Sequence, residues 1–505
     1  MKNRHHIAFD DIVRSLEENQ NKIALIDRDG KRYTYGKFKG HITGTRVHLK
    51  QMGVKKGSKV LVFVTMSMEL YAVLEALFSL GATTFFLDPW MGGKKMSGII
   101  KTINPNFLIV NKKAAKYRLL IPATWKIPTW KIKELPFNND EWSIEEVADE
   151  DSALITFTTG STGKPKGANR TYSFIDAQAK ALKDKLIGEN LQQNIDFTNL
   201  PIVALAGFAI GNTVVIPRIN LMKLDKTKPI DIIDHLIEEK VNRLVVSPAL
   251  LKKVLIGIKK KGKGKIDKVF TGGSPISAHL IKDCIENHAN IEFHTIYGST
   301  EAEPICATTM KKVYDKLDQP LKGVYVGDHD LNLHVRTVAY SAENMSTEYF
   351  EEQNLADGKI GELIICGNHV NKSYYKNVEA FNRYKVIDKK GETWHRTGDI
   401  GYKEGKEIYL VGRENRIMFK NDITYYPFPI EQLIELSYNL TDIGYIQNKR
   451  DSFILYIGSG QQVDTNLVMK TIKAADYPID RIEINKNPLP RDPRHKSKLD
   501  IDKLV

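Results

Sequence analysis

The chain has 505 residues, of which 42% are hydrophobic and 27% are charged. One hydrophobic core rarely serves so long a chain, and the composition excludes a fibrous or disordered protein. The net charge of +13 admits anionic partners, but the densest lysine run, at residues 259–265, contains no aromatic residues that would stack on bases. We therefore expect a globular protein of at least two domains, with a solvated loop at the lysine run and no nucleic-acid partner.

The sequence also argues against export and membrane insertion. Two aspartates, Asp10 and Asp11, interrupt the apolar segment that a signal peptide would need. The longest apolar run, at residues 60–87, contains Glu69 and Glu75, so we interpret it as a buried strand, helix and strand with no transmembrane span. The three cysteines form no CxxC pair, which predicts reduced, buried thiols. We expect a cytoplasmic protein.

Short apolar runs alternate with amphipathic stretches of helical length through most of the chain. The pattern predicts a strand at 60–64, a helix at 70–80 and a strand at 83–87, with later strands at 244–246 and 268–270. Such alternation is typical of an α/β fold in which helices cover layered sheets.

The pattern changes to mainly strand-like segments from about residue 361, and the main domain boundary is expected near residue 412. Residues 1–411 would form the large N-terminal domain, and residues 412–505 a small α+β domain of ordinary size. Within the small domain we predict helices at 430–436 and 463–474, and strands at 443–447 and 453–457.

A strand-like run at 153–155 leads into the segment TTGSTGKPKG, residues 158–167. Its glycines let the backbone approach a ligand closely, its hydroxyls offer hydrogen bonds to phosphate oxygens, and Lys166 supplies positive charge. The segment is not a P-loop, because Pro165 stands where GxxxxGK[ST] requires glycine. We interpret it as a phosphate-binding loop formed by Thr158, Thr159, Gly160, Ser161, Thr162, Gly163 and Lys166.

The same loop resembles the signature of the adenylate-forming superfamily, which contains acyl-CoA synthetases, peptide-synthetase adenylation domains and luciferases. Further segments resemble that family's motifs in the family's order: GGS at 272–274, YGSTE at 297–301, GEL at 361–363, WHRTGD at 394–399 and GR at 412–413. The resemblance implies an enzyme that uses ATP and Mg²⁺ to activate a carboxylic acid, and a small C-terminal domain that moves between two steps.

The resemblance also implies a role for individual residues. Glu301 would hold Mg²⁺, Thr300 would donate to the α-phosphate, and Asp399 would accept both ribose hydroxyls. Tyr297 would stack on adenine, and Arg413 would reach ribose or phosphate. Beside the phosphate loop, the implied nucleotide-binding residues are Gly272, Gly273, Ser274, Tyr297, Gly298, Ser299, Asp399 and Arg413.

Structural roles remain open for several of these residues. Tyr297 alone would suit a core position, Glu301 the start of a helix, and Asp399 a turn beside a glycine. We interpret His294 and His395 as packing or hydrogen-bonded neighbours of the motifs.

Two lysines near the C-terminus, Lys496 and Lys498, compete for the role of catalytic lysine. In the family an aliphatic residue, and often an aspartate, follows that lysine. Lys498 is followed by Leu499 and Asp500, so we assign the role to Lys498. By resemblance, its charge would bridge the substrate carboxylate and the α-phosphate.

The sequence departs from the acyl-CoA synthetase pattern at two places. Many members have histidine near the acyl pocket where this chain has Ala204, and the glycine expected after the hinge is absent from residues 420–422. These departures, with LDPWMG at 87–92 and the ending at 494–498, resemble the β-lactone synthetases of olefin biosynthesis, which adenylate a β-hydroxy acid and need no CoA.

Three functions therefore stay open. The first is activation of a carboxylic acid, as in fatty acid metabolism, followed by transfer to CoA or a carrier protein, which the lysine run at 259–265 would contact. The second is a CoA-independent β-lactone synthetase. The third is a non-catalytic nucleotide-binding protein.

Overall fold

The structure is a computed structural model, and it describes residues 7–87, 91–140, 142–159, 165–187, 194–448, 450–491 and 499–504. The elements up to the middle of the chain are, in order, α1 (Ile7–Glu18), β1 (Ile23–Ile26), β2 (Arg32–Thr34), α2 (Tyr35–Gln51), β3 (Lys59–Phe63), α3 (Met68–Ser79), β4 (Thr83–Leu87), α4 (Gly92–Ile103), β5 (Phe107–Val110), α5 (Lys112–Arg118), β6 (Thr129–Lys131), β7 (Ser152–Thr159), β8 (Pro165–Thr171), α6 (Tyr172–Ile187), β9 (Ile195–Thr198), α7 (Pro201–Ile210) and β10 (Thr213–Val215).

The elements of the second half follow in the same numbering. They are α8 (Pro229–Glu238), β11 (Arg243–Val246), α9 (Pro248–Lys261), β12 (Lys268–Gly272), α10 (Ala278–Asn287), β13 (Glu292–Ser299), β14 (Ala302–Thr309), α11 (Met310–Asp315), β15 (Val324–His329), β16 (Leu333–Val338), α12 (Thr347–Glu352), β17 (Gly361–Gly367), α13 (Val378–Tyr384), β18 (Lys385–Ile387), β19 (Thr393–Glu404), β20 (Glu407–Arg413), β21 (Met418–Lys420), β22 (Ile423–Tyr425), α14 (Pro427–Tyr438), β23 (Ile443–Gln447), β24 (Phe453–Ile457), α15 (Thr465–Ala474) and β25 (Arg481–Ile484).

The first large sheet has the strand order β6-β5-β3-β4-β7-β8 and is parallel except for the β7–β8 hairpin. Successive side chains of a strand point to opposite faces, and both faces of this sheet are covered. Val60 and Val62 pack in the cluster that contains α3, whereas Leu61 packs with α4. This layering explains the continuous apolar run in the sequence and confirms the predicted α/β fold.

The second large sheet is mixed. Its order is β16-β17-β19-β20-β15-β14-β13-β12-β11-β9-β10-β1-β2, with β18 paired to β19. The strands from β10 to β13 are parallel and pack against α8, α9 and α10, whereas β13 to β17 form an antiparallel half. The antiparallel half contains the strand-like segments predicted after residue 361.

The strands that follow Arg413 pair only with one another within the described part of the chain. The β21–β22 hairpin stands apart, and β23, β24 and β25 form a three-stranded sheet whose apolar face packs on α14 and α15. Contact with the larger region includes His279 on α10, whose Nδ1 lies 3.0 Å from Glu435 on α14. The division into domains at residue 412 stays a prediction.

The lysine run is not wholly a loop. Helix α9 continues to Lys261, so the first three lysines form its last turn, where positive charge is favourable for the helix dipole. Lys259 and Lys261 form ion pairs with Asp283 and Asp234. The cysteines are buried and unpaired, as predicted. No helix among the described residues is both long and apolar enough to cross a membrane.

Helix α3 carries a buried carboxyl group. Glu75 is 4% exposed, and burial raises its pKa from 4.5 to about 8. Because the folded chain holds this proton more tightly than the unfolded chain, the free energy of unfolding falls as the pH rises from 4.5 towards 8. At about 1.4 kcal/mol per pH unit, the upper limit of this loss is about 5 kcal/mol.

We expect Glu75→Gln to remove that loss, since the amide has no proton to release. The variant should unfold at higher urea concentration than the wild type at pH 8 and at nearly the same concentration at pH 4.5. Urea titrations of both proteins at the two pH values test this expectation, with the exposed Glu150→Gln as the control. Parallel pH profiles of wild type and Glu75→Gln would contradict it.

Candidate active site

The segment predicted to bind phosphate spans the end of β7 and the start of β8, which pair in antiparallel fashion. Thr158 pairs with Lys166, and Thr159 pairs with Pro165, so the two ends of the loop are fixed by the sheet. Residues Gly160, Ser161, Thr162 and Gly163 lie outside the described residues, as do the side chains of Thr158 and Thr159. Lys166 lies on β8 and is 8% exposed.

Thr300 and Glu301 form the tip of a second hairpin, the one that joins β13 to β14. Ser299 and Ala302 pair directly, which leaves two residues for the turn. The tip is held through its backbone: Arg170 Nη2 donates to the Thr300 carbonyl over 3.0 Å, and the Asn371 amide donates to the Glu301 carbonyl over 2.6 Å. Glu301 is therefore not at the start of a helix, the structural alternative left open by the sequence, and its side chain is presented by a turn.

One extended segment, residues 370–375, connects the two hairpins. Val370 bridges to Ala302 on β14, and Tyr374 bridges to Ala168 on β8. The hydroxyl of Tyr374 then donates to Glu301 Oε1 over 3.1 Å, although the two residues are 73 positions apart in sequence. The segment thus brings the carboxylate of one hairpin to the lysine of the other.

Glu301 is surrounded by positively charged groups. Burial opposes its ionisation, but the charges that His395, Lys166 and Lys385 can carry outweigh burial and lower the pKa of Glu301 to about 2. Burial, followed by repulsion from Lys385, lowers the pKa of His395 to about 3, so this ring is neutral at pH 7. Lys166 and the protonated fraction of Lys385 therefore act on the carboxylate at neutral pH.

Lys385 was not identified from the sequence. It is the first residue of β18, is 2% exposed, and donates from Nζ to the carbonyl of Asn371. Burial lowers the pKa of its amine to about 7, against the attraction of Glu301. Lys166 Nζ lies 3.3 Å from the ring centroid of Tyr384, the residue before Lys385, and Lys385 Nζ lies 5.2 Å from that of Tyr374, so each amine contacts an aromatic ring.

A second polar group consists of Tyr297, Asp399 and Arg413. The Tyr297 hydroxyl donates to Asp399 Oδ2 over 2.6 Å, and Arg413 Nη1 lies 3.3 Å from Asp399 Oδ1. Asp399 and Arg413 face each other because Val411 is an extra residue in β20. Without this bulge Asp399 would oppose Gly412, and the side chains would leave on opposite faces.

Three motif glycines lie on β13 or at the end of the neighbouring strand β12. A Cβ on Gly272 would lie 2.1 Å from the Ile296 carbonyl oxygen, so only glycine fits there. Gly273 has φ +77° and open space where a Cβ would stand, and Ser274 follows it in the turn after β12. A Cβ on Gly298 would lie 2.9 Å from the Ala302 carbonyl. The hydroxyl of Ser299 is buried without a hydrogen-bond partner among the described residues, which suits a ligand contact.

A small apolar cavity of about 10 Å³ opens beside these glycines, and we call it the inner cavity. Glu303, on β14, is the one ionisable side chain among the residues that line it. Burial raises the pKa of Glu303, and the nearby Arg170 opposes this rise. Ala204 is not among the residues that line the inner cavity, and it packs in the core with α2 and α3. The lining residues are Leu182, Leu200, Val203, Val245, Thr271, Gly272, Gly273, Ile296 and Glu303.

The two candidate catalytic lysines, Lys496 and Lys498, lie outside the described residues. The flanking residues are described: Arg491 and Leu499 form an antiparallel bridge, and Leu499 packs with Ile446 and Ile454 of the three-stranded sheet. Both ends of the lysine-bearing segment are therefore anchored to the small C-terminal region.

The missing hinge glycine is replaced by two residues of left-handed conformation. Asn421 and Asp422, with φ of 49° and 60°, form the two-residue turn between β21 and β22. Asparagine and aspartate tolerate this conformation better than other side-chain-bearing residues. The turn therefore has the positive φ values that glycine usually provides, while carrying two polar side chains.

Residues 12–375 match the model of the AMP-binding enzyme family. The chain belongs to this family. The AMP-binding enzyme is 25% identical, over 389 residues, to the olefin beta-lactone synthetase of Stenotrophomonas maltophilia, covering 72% of this chain and 69% of that one. It is 21% identical, over 426 residues, to the 2-succinylbenzoate–CoA ligase of Bacillus cytotoxicus, covering 82% and 80%.

The fold of this AMP-binding enzyme is also that of a solved structure. O-succinylbenzoate coenzyme A synthetase (MenE) from Bacillus subtilis, in complex with ATP and magnesium ion, has a TM-score of 0.75 and 18% identity, covering 97% of this chain and 98% of the other. The family and its ligase relatives make the AMP-binding enzyme an adenylate-forming ligase, so the non-catalytic interpretation is wrong.

Two histidine predictions are also settled by the geometry of this AMP-binding enzyme. His294 stacks on Phe270 with 4.8 Å between ring centroids and contacts Glu292 at 2.6 Å. His395 is buried, and its Nδ1 lies 3.1 Å from the Tyr384 carbonyl. Both are neighbours of the motifs, as expected.

Proposed function

We propose that this AMP-binding enzyme uses ATP to activate an apolar carboxylic acid, of fatty acid type, as its acyl-adenylate, with release of pyrophosphate. The observation that carries the proposal is the position of Glu301. Its ionised carboxylate lies among Lys166, Lys385 and Tyr374, between the phosphate hairpin and the Tyr297–Asp399 group.

The two lysines have a defined task in this reaction. A carboxylate oxygen of the acid attacks the α-phosphorus, the bond to the β-phosphate breaks, and pyrophosphate leaves with the electron pair. Attack by one anion on another needs positive charge around the phosphates, and a buried cation acts more strongly than one in water. Lys166 and Lys385 provide this charge on the pyrophosphate side, and Lys498 would provide it beside the attacking carboxylate.

Glu301 suits a magnesium ion. Mg²⁺ prefers hard oxygen ligands and few protein carboxylates, and the low pKa of Glu301 keeps its carboxylate available at neutral pH. Bound with ATP, Mg²⁺ would neutralise charge that develops on the leaving pyrophosphate. Thr300, beside Glu301 at the hairpin tip, would donate to the α-phosphate.

The nucleoside would bind at the other end of the site. Asp399 would exchange its hydrogen bond from Tyr297 for the ribose hydroxyls, with Arg413 orienting the carboxylate. The open face of Gly273 would let adenine lie close to the backbone, with the ring of Tyr297 on its other side.

The first candidate acceptor of the acyl group is CoA, and a carrier protein would act in the same way. This assignment is supported by the CoA ligases among the relatives. In this assignment the polar side chains of Asn421 and Asp422 have no role.

The second candidate acceptor is a hydroxyl group of the acid itself, which is favoured by Glu303. A carboxyl group with a raised pKa at the inner cavity can take the proton of a hydroxyl near the acyl carbonyl. The hydroxyl oxygen would bond to the carbonyl carbon, and AMP would leave, giving a β-lactone. Relatives named olefin beta-lactone synthetase support this candidate.

Mass spectrometry of products tests both steps. The enzyme would be given MgATP and a panel of fatty, aryl and β-hydroxy acids, each with and without CoA. We expect AMP and pyrophosphate only when an acid is present; AMP without acid would contradict adenylation of a carboxylate. A thioester that requires CoA supports the first acceptor, and a product 18 mass units below the β-hydroxy acid supports the second.

A further inference from the structure

A second cavity lies between helices α1, α3, α6 and α7, and we call it the distal cavity. Its volume is about 50 Å³. Leu182 on α6 lines both the inner and the distal cavity, so the two cavities are neighbours. The lining of the distal cavity is apolar except for Glu75 and Gln178.

Both polar side chains are buried, and Gln178 lacks hydrogen-bond partners among the described residues. Gln178 is 1% exposed, and neither its amide oxygen nor its amide nitrogen has a hydrogen-bond partner in the described part of the chain. Glu75 is 4% exposed and forms no ion pair with a described residue. Buried polar groups are normally paired, and leaving them unpaired is costly. Two such groups in one cavity indicate a group that enters and pairs with them.

The charges of Glu75 and Gln178 determine which ligand group can pair with them. Because burial raises the pKa of Glu75 to about 8, its carboxyl is mostly protonated at neutral pH. A protonated carboxyl and an amide offer both donors and acceptors but no net charge. An uncharged group that also donates and accepts, such as a hydroxyl, is complementary, whereas a carboxylate would meet no opposite charge.

The size of the cavity shows that it is one end of a larger site. Independent small-molecule sites usually have volumes of about 300–1,000 Å³. A volume of about 50 Å³ holds a hydroxyl with its neighbouring carbons and little more. The inner cavity, across Leu182, is where the acyl chain of an adenylated acid would begin.

We propose, on the basis of the function proposed above, that the distal cavity binds a hydroxyl group on the acyl chain of the acid, remote from its carboxylate. Glu75 and Gln178 are then specificity-determining residues, and the substrate class is a hydroxylated fatty acid. Leu182 turns aside to let the chain pass from the inner to the distal cavity. This hydroxyl differs from the one near Glu303, which lies close to the reacting carbonyl.

The test compares saturated acids of increasing length with their terminally hydroxylated and terminally aminated counterparts. The rate of pyrophosphate release with MgATP gives kcat/KM for each acid. At one chain length, we expect the hydroxylated acid to be preferred over both counterparts by at least about tenfold.

In the double variant Glu75→Leu/Gln178→Leu, the preference should be lost while the unsubstituted acid is still used. Gln432→Leu, a buried glutamine on α14 far from the cavity, should keep the preference.

Two further results separate this inference from the function on which it rests. Pyrophosphate release that depends on acid but never favours the hydroxylated form, or that favours the amine, overturns the inference alone. Release with no acid overturns the proposed function. Binding without ATP gives an independent measurement: the hydroxylated acid should raise the Tm of the wild type and not that of the double variant. Equal Tm shifts in both proteins, as expected if only water fills the cavity, also overturn the inference.

Discussion

Glu301→Gln is expected to lower acid-dependent pyrophosphate release by about two to three orders of magnitude. The amide keeps the shape of the side chain and the hydrogen bond from Tyr374, but it removes the charge that would hold Mg²⁺. It also removes the attraction that raises the pKa of the buried Lys385 amine, so less positive charge remains near the phosphates at neutral pH. Initial rates across a magnesium titration test this, since weaker metal binding raises the magnesium concentration needed for half-maximal rate.

The control for this variant is Glu292→Gln at the start of β13, the strand that leads to the Glu301 turn. Glu292 is exposed and pairs with Lys268 and His294, so its charge contacts no part of the proposed site. We expect this control to retain the wild-type rate and magnesium dependence. A Glu301→Gln enzyme with wild-type rates at every magnesium concentration would contradict the proposed role of Glu301.

Lys385→Met provides a companion measurement in the same assay. Methionine has similar length and removes the amine, so we expect about a tenfold lower rate through weaker stabilisation of the leaving pyrophosphate. The magnesium dependence should change little, because the carboxylate of Glu301 stays in place. This combination separates the charge that binds metal from the charge that stabilises the leaving group.

The helices and strands of the fold could be predicted where the local pattern of apolar residues determines them. In the small C-terminal region, the strands at 443–447 and 453–457 agree with β23 and β24 residue for residue, and the predicted helix at 463–474 agrees with α15 within two residues. Each of these elements buries one apolar face. The apolar residues of such a face recur at the spacing of a strand or of a helix, and this recurrence can be recognised in the sequence. The order of strands in the mixed sheet was not predictable, because distant segments such as β10 and β1 pair through contacts that no local pattern encodes.

The motifs of the site could be predicted from the sequence, but the arrangement of their side chains in space could not. Short motifs identified Tyr297, Glu301 and Asp399, whereas Lys385 carries no motif and gains its significance only from burial beside Glu301. The pairing of Asp399 with Arg413 depends on a bulge that the sequence does not mark. Glu75 was interpreted only as a charge that interrupts an apolar run, and its position in a cavity follows from tertiary packing.

Arg396 shows the opposite case, in which a motif residue serves the fold. It is 1% exposed, and its Nη2 lies 2.7 Å from Glu362 Oε2 and donates to the Ser341 carbonyl over 2.7 Å. These bonds fix β19 to β17 beneath Asp399. A motif therefore identifies a region, and the hydrogen-bond partners decide which of its residues remain available for a ligand.

Lys498→Ala is expected to abolish acid-dependent pyrophosphate release, whereas Lys496→Ala retains most of it. Lys498 directly precedes Leu499, whose side chain packs with Ile446 and Ile454 of the small region. In adenylation its ammonium would bridge the attacking carboxylate and the α-phosphate, and no neighbouring side chain would replace a charge shared by both reactants. Pyrophosphate release from both single variants, measured at saturating acid and MgATP, tests the assignment.

The same variants distinguish a catalytic lysine from a structural one. If Lys498 acts only in adenylation, Lys498→Ala should still convert a supplied acyl-adenylate, in the presence of the acceptor, at close to the wild-type rate. A variant whose C-terminal region has lost its packing would fail in both half-reactions, and its Tm would fall. Loss of release in Lys496→Ala with retention in Lys498→Ala would move the role to Lys496. Equal loss in both would indicate that the two lysines hold the phosphates together, because the reaction would then need the summed charge of the segment rather than one bridging ammonium.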